Sequence, residues 1–123
     1  MQSLPFAGSG KRALLIEPHA LFAPYFVATI ESFGLAVVGV RARARRDDVR
    51  ALAPDVVLVD AAHLPQAPFR TIRSLRRAAP AAHIVVFAVA VDPLWATLAR
   101  SFGADVVIGP RARERDLIAA LAA

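Results

Sequence analysis

The sequence predicts one α/β domain built on a five-stranded parallel sheet of order 2-1-3-4-5, with helices on both faces. The chain has 123 residues, which is the size of a single domain. Hydrophobic residues make up 57% of it, enough for a substantial core. Short apolar runs alternate with helical segments, as in parallel sheets with crossover helices. Because such crossovers are right-handed, the doubly wound strand order is the leading topology.

The predicted strands are rich in Val, Ile and Leu and do not alternate with polar residues. Runs of this kind are typical of strands that are buried on both faces of a parallel sheet. The five runs are Arg12–Ile16, Leu35–Val40, Asp55–Val59, His83–Val89 and Ala104–Ile108.

The first helical segment has one apolar stripe at i, i+4, i+8 and i+11, formed by Phe22, Phe26, Ile30 and Phe33. A proline is tolerated only in the first turn, so Pro24 places the start of this helix near residues 21–23. We therefore expect all four stripe residues to face the core.

The fourth helix has the clearest boundaries. Asp92 is its predicted N-cap, Pro93 occupies the first helical position, and Gly103 follows the end. The other helical segments are Arg46–Ala53, residues 69–79, and a last one that begins near Arg113.

Composition excludes several classes of protein. The chain has no cysteine, so disulfides, thiolate nucleophiles and cysteine-based metal sites are excluded. Charges or prolines interrupt every apolar stretch before the roughly 20 residues that a membrane span needs. No secretory signal is recognisable at the N-terminus. We expect residues 1–10 to be a flexible lead, residues 11–123 to form the domain, and the location to be cytoplasmic.

Two acids directly follow predicted strands. Glu17 follows the first strand and Asp60 follows the third. In the predicted strand order these strands flank the topological switch point, where ligands bind outside the carboxyl ends. We expect both carboxylates to face one crevice, the alternative being that each caps a local turn or meets water.

The segments LLIEPHALF, VVLVD and GADVVIGP resemble the receiver (CheY-like) domain of bacterial response regulators, over about residues 11–122. In receivers, the aspartate after the third strand accepts a phosphoryl group from a histidine kinase beside a bound Mg²⁺. The resemblance implies that Asp60 is the phosphoacceptor. It also implies that Glu17, Asp60 and the backbone carbonyl of Ala62 are the metal ligands.

Three positions depart from the receiver pattern. Pro18 stands where the second acid of the pair is expected, Ala88 where a Thr or Ser is expected, and Gly109 where the Lys is expected. Mg²⁺ binding is therefore expected to be weak, with no other cofactor. The site therefore lacks a positive charge beside the phosphoryl oxygens. It also lacks the hydroxyl group that would form a hydrogen bond in response to phosphorylation.

The expected function is that of a stand-alone, atypical receiver in two-component (phosphorelay) signalling, since the chain ends with the fifth helix. We expect a protein-interaction module rather than an enzyme, with impaired or absent phosphorylation at Asp60. Expected partners are a histidine kinase, a phosphotransferase, another signalling protein or a second copy of the chain, with no membrane contact. The resemblance implies a contact face on the fourth helix, fifth strand and fifth helix, with Trp95, Arg100, Arg111, Arg113 and Arg115. For Trp95, core packing is an equal alternative.

Two other functions stay open as alternatives. Glu17-Pro18-His19 distantly resembles the Asp-x-His start of flavodoxin-like cobalamin-binding domains, in which the histidine ligates cobalt, but Phe22 stands where a glycine should follow. His19 and His63 offer a weaker suggestion of a metal site beside the two acids.

Nucleic-acid binding is the second alternative, because arginines cluster at residues 41–50 and again at Arg70, Arg73, Arg76 and Arg77. Aromatic residues are not interleaved with these arginines, so solvated helix faces are the preferred interpretation. Nucleic acid is accordingly not an expected partner.

Overall fold

A computed structural model describes residues 11–64, 68–88, 92–109 and 114–122. Five parallel strands form one sheet of order β2-β1-β3-β4-β5, which confirms the predicted topology. The strands are β1 (Arg12–Ile16), β2 (Ala36–Arg41), β3 (Val56–Asp60), β4 (His83–Phe87) and β5 (Val106–Ile108). The predicted lead, residues 1–10, lies outside the described residues.

Five α-helices connect and flank the strands. They are α1 (Ala23–Ser32), α2 (Arg46–Leu52), α3 (Pro68–Ala78), α4 (Pro93–Phe102) and α5 (Glu114–Ala122). The predicted boundaries of α4 are confirmed, because the Asp92 carboxylate accepts a hydrogen bond from Trp95 N at 2.8 Å and Gly103 is the C-cap. No helix in the described ranges is long and apolar enough to cross a membrane.

The sheet separates two cores. On one face, Leu14, Ile16, Val57 and Val59 pack with α2, α3 and α4. On the other face, the alternate residues of the same strands pack with α1 and α5. Both faces of β1 and β3 are therefore buried, which explains why these strands are continuous apolar runs.

Four local expectations were wrong, three of them at β2, Phe22 and Asp60 and the fourth at Arg76. β2 is only partly buried because it is an edge strand with no neighbour beyond β1. Phe22 is 40% exposed because it precedes the first turn of α1, whereas Phe26, Ile30 and Phe33 are buried as predicted. Asp60 is the last residue of β3 rather than the residue after it, and a short 3-10 helix (Ala61–His63) follows.

Arg76 of α3, predicted to point outward, instead joins three elements at the amino-terminal edge of the sheet. Its guanidinium donates to the carbonyl of Gly103 at 3.0 and 2.7 Å and to the carbonyl of Ala82 at 2.6 Å. It also pairs with the Asp105 carboxylate at 2.6 Å, and that carboxylate accepts from Ile84 N at 2.8 Å. Arg76 therefore connects α3 with the segments that lead into β4 and β5.

Gly103 allows this approach of Arg76. Its φ of +128° is a backbone conformation that residues with a side chain rarely adopt. A Cβ atom at this position would lie 2.6 Å from Cβ and 2.9 Å from Cγ of Arg76, well inside van der Waals contact.

We expect Arg76→Lys to lower the free energy of unfolding by about 2 kcal/mol, because a lysine cannot serve two carbonyls and a carboxylate in fork geometry. Arg77→Lys is the matched control, since the neighbouring Arg77 is exposed and forms none of these bonds. Urea unfolding measures both variants. Equal stability of the two variants would contradict the assigned role of Arg76.

We expect Gly103→Ala to destabilise the fold by about 2 kcal/mol or more, because backbone strain and overlap with Arg76 add together. Gly34 also has a positive φ, +84°, but is exposed at the end of α1. Gly34→Ala should therefore cost only about 1 kcal/mol from strain. The larger loss at Gly103, measured by thermal unfolding, combines the overlap with Arg76 and the greater strain at φ +128°, and equal losses would argue against both.

Candidate functional site

Two acids come together at the carboxyl-terminal edge of the sheet. Ile16 and Val59 are partners in the parallel register of β1 and β3, so Glu17 and Asp60 are the next residues of adjacent strands. Neighbouring strands lie about 4.8 Å apart, which brings the two backbones side by side. Glu17 is 3% exposed and Asp60 is fully buried. The predicted meeting of these two acids at the switch point follows from this register.

Each carboxylate also holds the loop that follows its own strand. Oε2 of Glu17 accepts a hydrogen bond from the backbone N–H of His19 at 3.0 Å. Oδ1 of Asp60 accepts one from Ala62 N at 3.1 Å, at the start of the 3-10 helix. Glu17 N in turn donates to the carbonyl of Arg41 at 2.9 Å, which fixes this edge to β2. Both acids thus have the capping role that the sequence left as an alternative, and they lie side by side at one edge of the sheet.

The donor set fits a hard divalent cation better than a transition metal. Mg²⁺ takes oxygen ligands, accepts one or two carboxylates and keeps several waters. Glu17 and Asp60 supply two carboxylates at this edge. Among the described side chains, no group of three His, Asp or Glu residues could hold a metal ion.

The three positions that depart from the receiver pattern lie at this same edge. β4 ends at Phe87, which is in register with Asp60 on one side and with Ile108 of β5 on the other. Ala88 therefore lies beside Asp60 on the neighbouring strand, whereas Gly109 follows β5, two strands away from β3. Ala88 is 2% exposed, and its N–H donates to the carbonyl of Ile108 at 2.9 Å. Pro18 is half-buried next to Glu17. None of these three side chains supplies a hydroxyl, an amine or a carboxylate.

An exposed apolar rim borders the acids, and the sequence pattern did not predict it. Leu21 is 81% exposed and Tyr25 is 67% exposed, with Phe22 beside them. Next to this rim is an open cavity of about 490 Å³ between the start of α1 and the end of β2. Its lining includes Glu17, so the cavity adjoins the acidic site. The helix start at Ala23 could have indicated exposed residues at positions 21 and 22.

The residues of the predicted interaction face are distributed over different parts of the fold. Trp95 of α4 is half-buried and packs against α3, with its ring centroid 5.2 Å from that of Phe69. This is the core packing that the sequence left as the alternative. Arg100 is exposed and lines a groove of about 630 Å³ at the amino-terminal edge of the sheet. Arg115 is exposed on α5, whereas Arg111 and Arg113 lie outside the described residues.

The exposed apolar residues of α4 are Leu94, 70% exposed, and Leu98, 39% exposed. Their i, i+4 spacing could have indicated them, because they lie on the helix face opposite the buried Ala96 and Ala99.

The alternative metal site at His19 and His63 falls partly outside the described residues. His19 is exposed, and its ring centroid lies 4.9 Å from that of Phe22 with the two rings tilted by 51°. The side chain of His63 lies outside the described residues. His83 begins β4 at the opposite edge of the sheet, as predicted, where Nε2 contacts the carbonyl of Ala120 in α5.

No protein-family model matches the sequence, and no curated protein shows significant similarity to it. Solved structures do match. A response regulator from Burkholderia pseudomallei, solved with a phosphorylated aspartic acid, calcium ion and citrate, is 27% identical with a TM-score of 0.72, over 90% of this chain and 66% of that one. The signal receiver domain of the putative response regulator NarL from Mycobacterium tuberculosis is 19% identical with a TM-score of 0.76, over 90% and 92%.

A CheY-like response regulator receiver domain protein from Methanospirillum hungatei is 16% identical with a TM-score of 0.75, over 89% of each chain. These likenesses cover nearly all of the described residues. The chain therefore has the fold of response regulator receiver domains, which was expected from its sequence segments.

We expect Mg²⁺ to raise the free energy of unfolding by about 1.4 kcal/mol at about ten times its dissociation constant. The double variant Glu17→Gln/Asp60→Asn should lose this response, because the amide oxygens carry no charge. Asp47→Asn is the control, since Asp47 is exposed on α2, away from the site. Thermal unfolding with and without Mg²⁺ measures the effect. An undiminished response of the double variant would contradict a site at these acids.

Proposed function

We propose that this protein is an atypical receiver of two-component signal transduction, which acts by binding other signalling proteins with little or no dependence on phosphorylation of Asp60. One observation carries the proposal. A receiver fold keeps the buried acids Glu17 and Asp60 at its carboxyl edge, beside Pro18, Ala88 and Gly109. The chain thus has the receiver fold but only some of the side chains that phosphoryl transfer in a receiver would use.

Asp60 is the proposed acceptor of a phosphoryl group. In such a transfer, an Asp60 carboxylate oxygen attacks phosphorus and the bond between phosphorus and the donor atom breaks, with the electron pair leaving on the donor. Positioning and neutralisation of the phosphoryl oxygens supply most of the catalysis. Glu17 and Asp60 would hold Mg²⁺, which supplies part of that neutralisation.

Two side chains that are expected at the phosphorylation site of a receiver are replaced in this chain. Gly109 offers no ammonium group to pair with the phosphoryl oxygens, so the transfer loses one positive charge. Ala88 offers no hydroxyl that could move toward a new phosphoryl group, so a phosphorylated Asp60 would have no hydrogen bond to switch. These losses favour signalling by the unmodified fold.

The proposed partners are a histidine kinase, a phosphotransferase or another signalling protein, with a second copy of the chain as an alternative. The exposed Leu94 and Leu98 of α4 give the proposed contact face apolar residues, and the exposed Arg100 of α4 and Arg115 of α5 give it basic ones. Arg111 and Arg113, which lie outside the described residues, are kept in the proposed face on the basis of the sequence. Trp95 supports α4 from within rather than serving as an exposed anchor.

Intact mass after incubation with Mg²⁺ and acetyl phosphate tests the proposal, with Asp60→Asn as the control. We expect little or no gain of one phosphoryl group by the natural chain at saturating donor. The variant Gly109→Lys should gain more, because it restores a positive charge beside Asp60.

A full phosphoryl gain by the natural chain that is absent from Asp60→Asn would overturn the proposed independence from phosphorylation. A gain that persists in Asp60→Asn would mean modification elsewhere and would remove Asp60 as the acceptor. If Gly109→Lys also gains nothing while Mg²⁺ still stabilises the fold, the missing charge is not the reason for the low yield.

A further inference from the structure

Five arginines project from the outer surface of two neighbouring helices. α2 and α3 lie on the same side of the sheet and share one core. Their outward arginines, which we call the basic face, are all exposed: Arg46, Arg50, Arg70, Arg73 and Arg77. The exposed Arg43 and Arg45, just before α2, extend this surface.

The charge of the basic face is not balanced locally. Helix α3 contains no acid. Helix α2 contains two acids, of which Asp48 pairs with Arg41 at 2.8 Å, leaving the exposed Asp47. No ion pair involves any of the five arginines within the described residues.

A surface that serves only for solubility is expected to mix the two signs of charge. Here Arg46 and Arg50, and likewise Arg73 and Arg77, are like-charge pairs at i, i+4, which destabilise a helix. The guanidinium carbon of Arg73 also lies 4.9 Å from the centre of the Phe102 ring, which orients this side chain. A bound polyanion would reduce the repulsion between these arginines. The contact with Phe102 would already hold Arg73 in position for it.

The surroundings of the basic face favour a nucleic-acid backbone over a protein. The large apolar side chains that are exposed elsewhere lie on α1 and the turn before it, on β2 and on α4: Leu21, Phe22, Tyr25, Val40, Leu94 and Leu98. The basic face therefore lacks the apolar or aromatic anchor that is typical of protein interfaces. It also lacks exposed aromatic rings on which unpaired bases could stack.

We propose that the basic face binds the phosphate backbone of double-stranded nucleic acid without reading its base sequence. Arginine suits this role because its fork donates two hydrogen bonds to one phosphate. Arg70 and Arg77 are separated by about 10 Å along α3, close to the axial length of three phosphate-to-phosphate intervals of one strand. The proposal uses neither Asp60 nor the face on α4 and α5, so it stands or falls independently of the proposed receiver function.

Fluorescence anisotropy with a labelled duplex of arbitrary sequence, DNA in one arm and RNA in the other, tests the proposal. With about five phosphate contacts, affinity should fall about 500-fold between about 50 and about 200 mM salt. The triple variant Arg70→Gln/Arg73→Gln/Arg77→Gln should bind more weakly and fall only about 10-fold over this range, since about two contacts are left. Glutamine is a good helix former, and urea unfolding verifies that the variant folds.

The matched control compares two single variants of equal net charge. Arg77→Gln removes a charge from the basic face, whereas Arg115→Gln removes one from α5 on the other side of the sheet. The first should reduce the salt slope by about one and the second should not. Equal effects would show that net charge alone drives binding and would overturn the proposal.

Three other results would overturn it as well: no salt-dependent binding by the natural chain, an unchanged slope in the triple variant, or competition by polyglutamate as strong as by duplex at equal charge. The last result would favour an acidic protein segment as the partner. Binding in either the DNA or the RNA arm supports the proposal, and the stronger arm identifies the source of the phosphates.

Discussion

The register between β1 and β3 is the constraint on which the site depends. Both strands are buried on both faces, so a shift of one residue would move every side chain to the opposite core. Ile16 and Val59 face the core under α2, α3 and α4, while Leu15 and Leu58 face the core under α1 and α5. Apolar packing on two sides therefore sets the register, and the register alone makes Glu17 and Asp60 neighbours.

Two buried carboxylates beside each other are unfavourable unless polar groups compensate for their lost hydration. The loops after β1 and β3 supply backbone N–H groups from His19 and Ala62 for this purpose. The same hydrogen bonds fix the path of both loops, so the acids organise the edge of the sheet at which they lie. The apolar rim of Leu21, Phe22 and Tyr25 extends from one of these loops into α1.

The parts of the molecule that follow from repeated, local patterns could be predicted from the sequence. Strand order followed from apolar runs and crossover handedness, and the ends of α4 followed from Asp92, Pro93 and Gly103. Arg76 could not be distinguished from Arg77 in this way, because its partners at Ala82, Gly103 and Asp105 come from other elements. Helical spacing shows which residues share one face of a helix. Whether that face is buried depends on the elements that the rest of the fold packs against it.

The same distinction applies to the site. Glu17 and Asp60 could be placed because strand ends in a parallel sheet meet at one edge. Trp95 could not be assigned to surface or core, since only its contact with Phe69 decides between them. The apolar rim was not predicted because Phe22 was assigned to the apolar stripe of α1. The helix begins at Ala23, so Phe22 precedes it and is exposed.

An apolar residue at position 88 suits the packing at this edge of the sheet, because Ala88 belongs to the core under α2, α3 and α4. Ala88 is buried, and a hydroxyl there would need a hydrogen-bond partner or would cost stability. The Arg76 contacts that join α3 to β4 and β5 lie at the amino-terminal edge of the sheet, away from Pro18, Ala88 and Gly109. Side chains at positions 18, 88 and 109 can therefore change without breaking these Arg76 bonds. The bonds that join α3 to the sheet and the acids that organise the carboxyl-terminal edge lie at opposite ends of the strands, so either group can vary without disturbing the hydrogen bonds of the other.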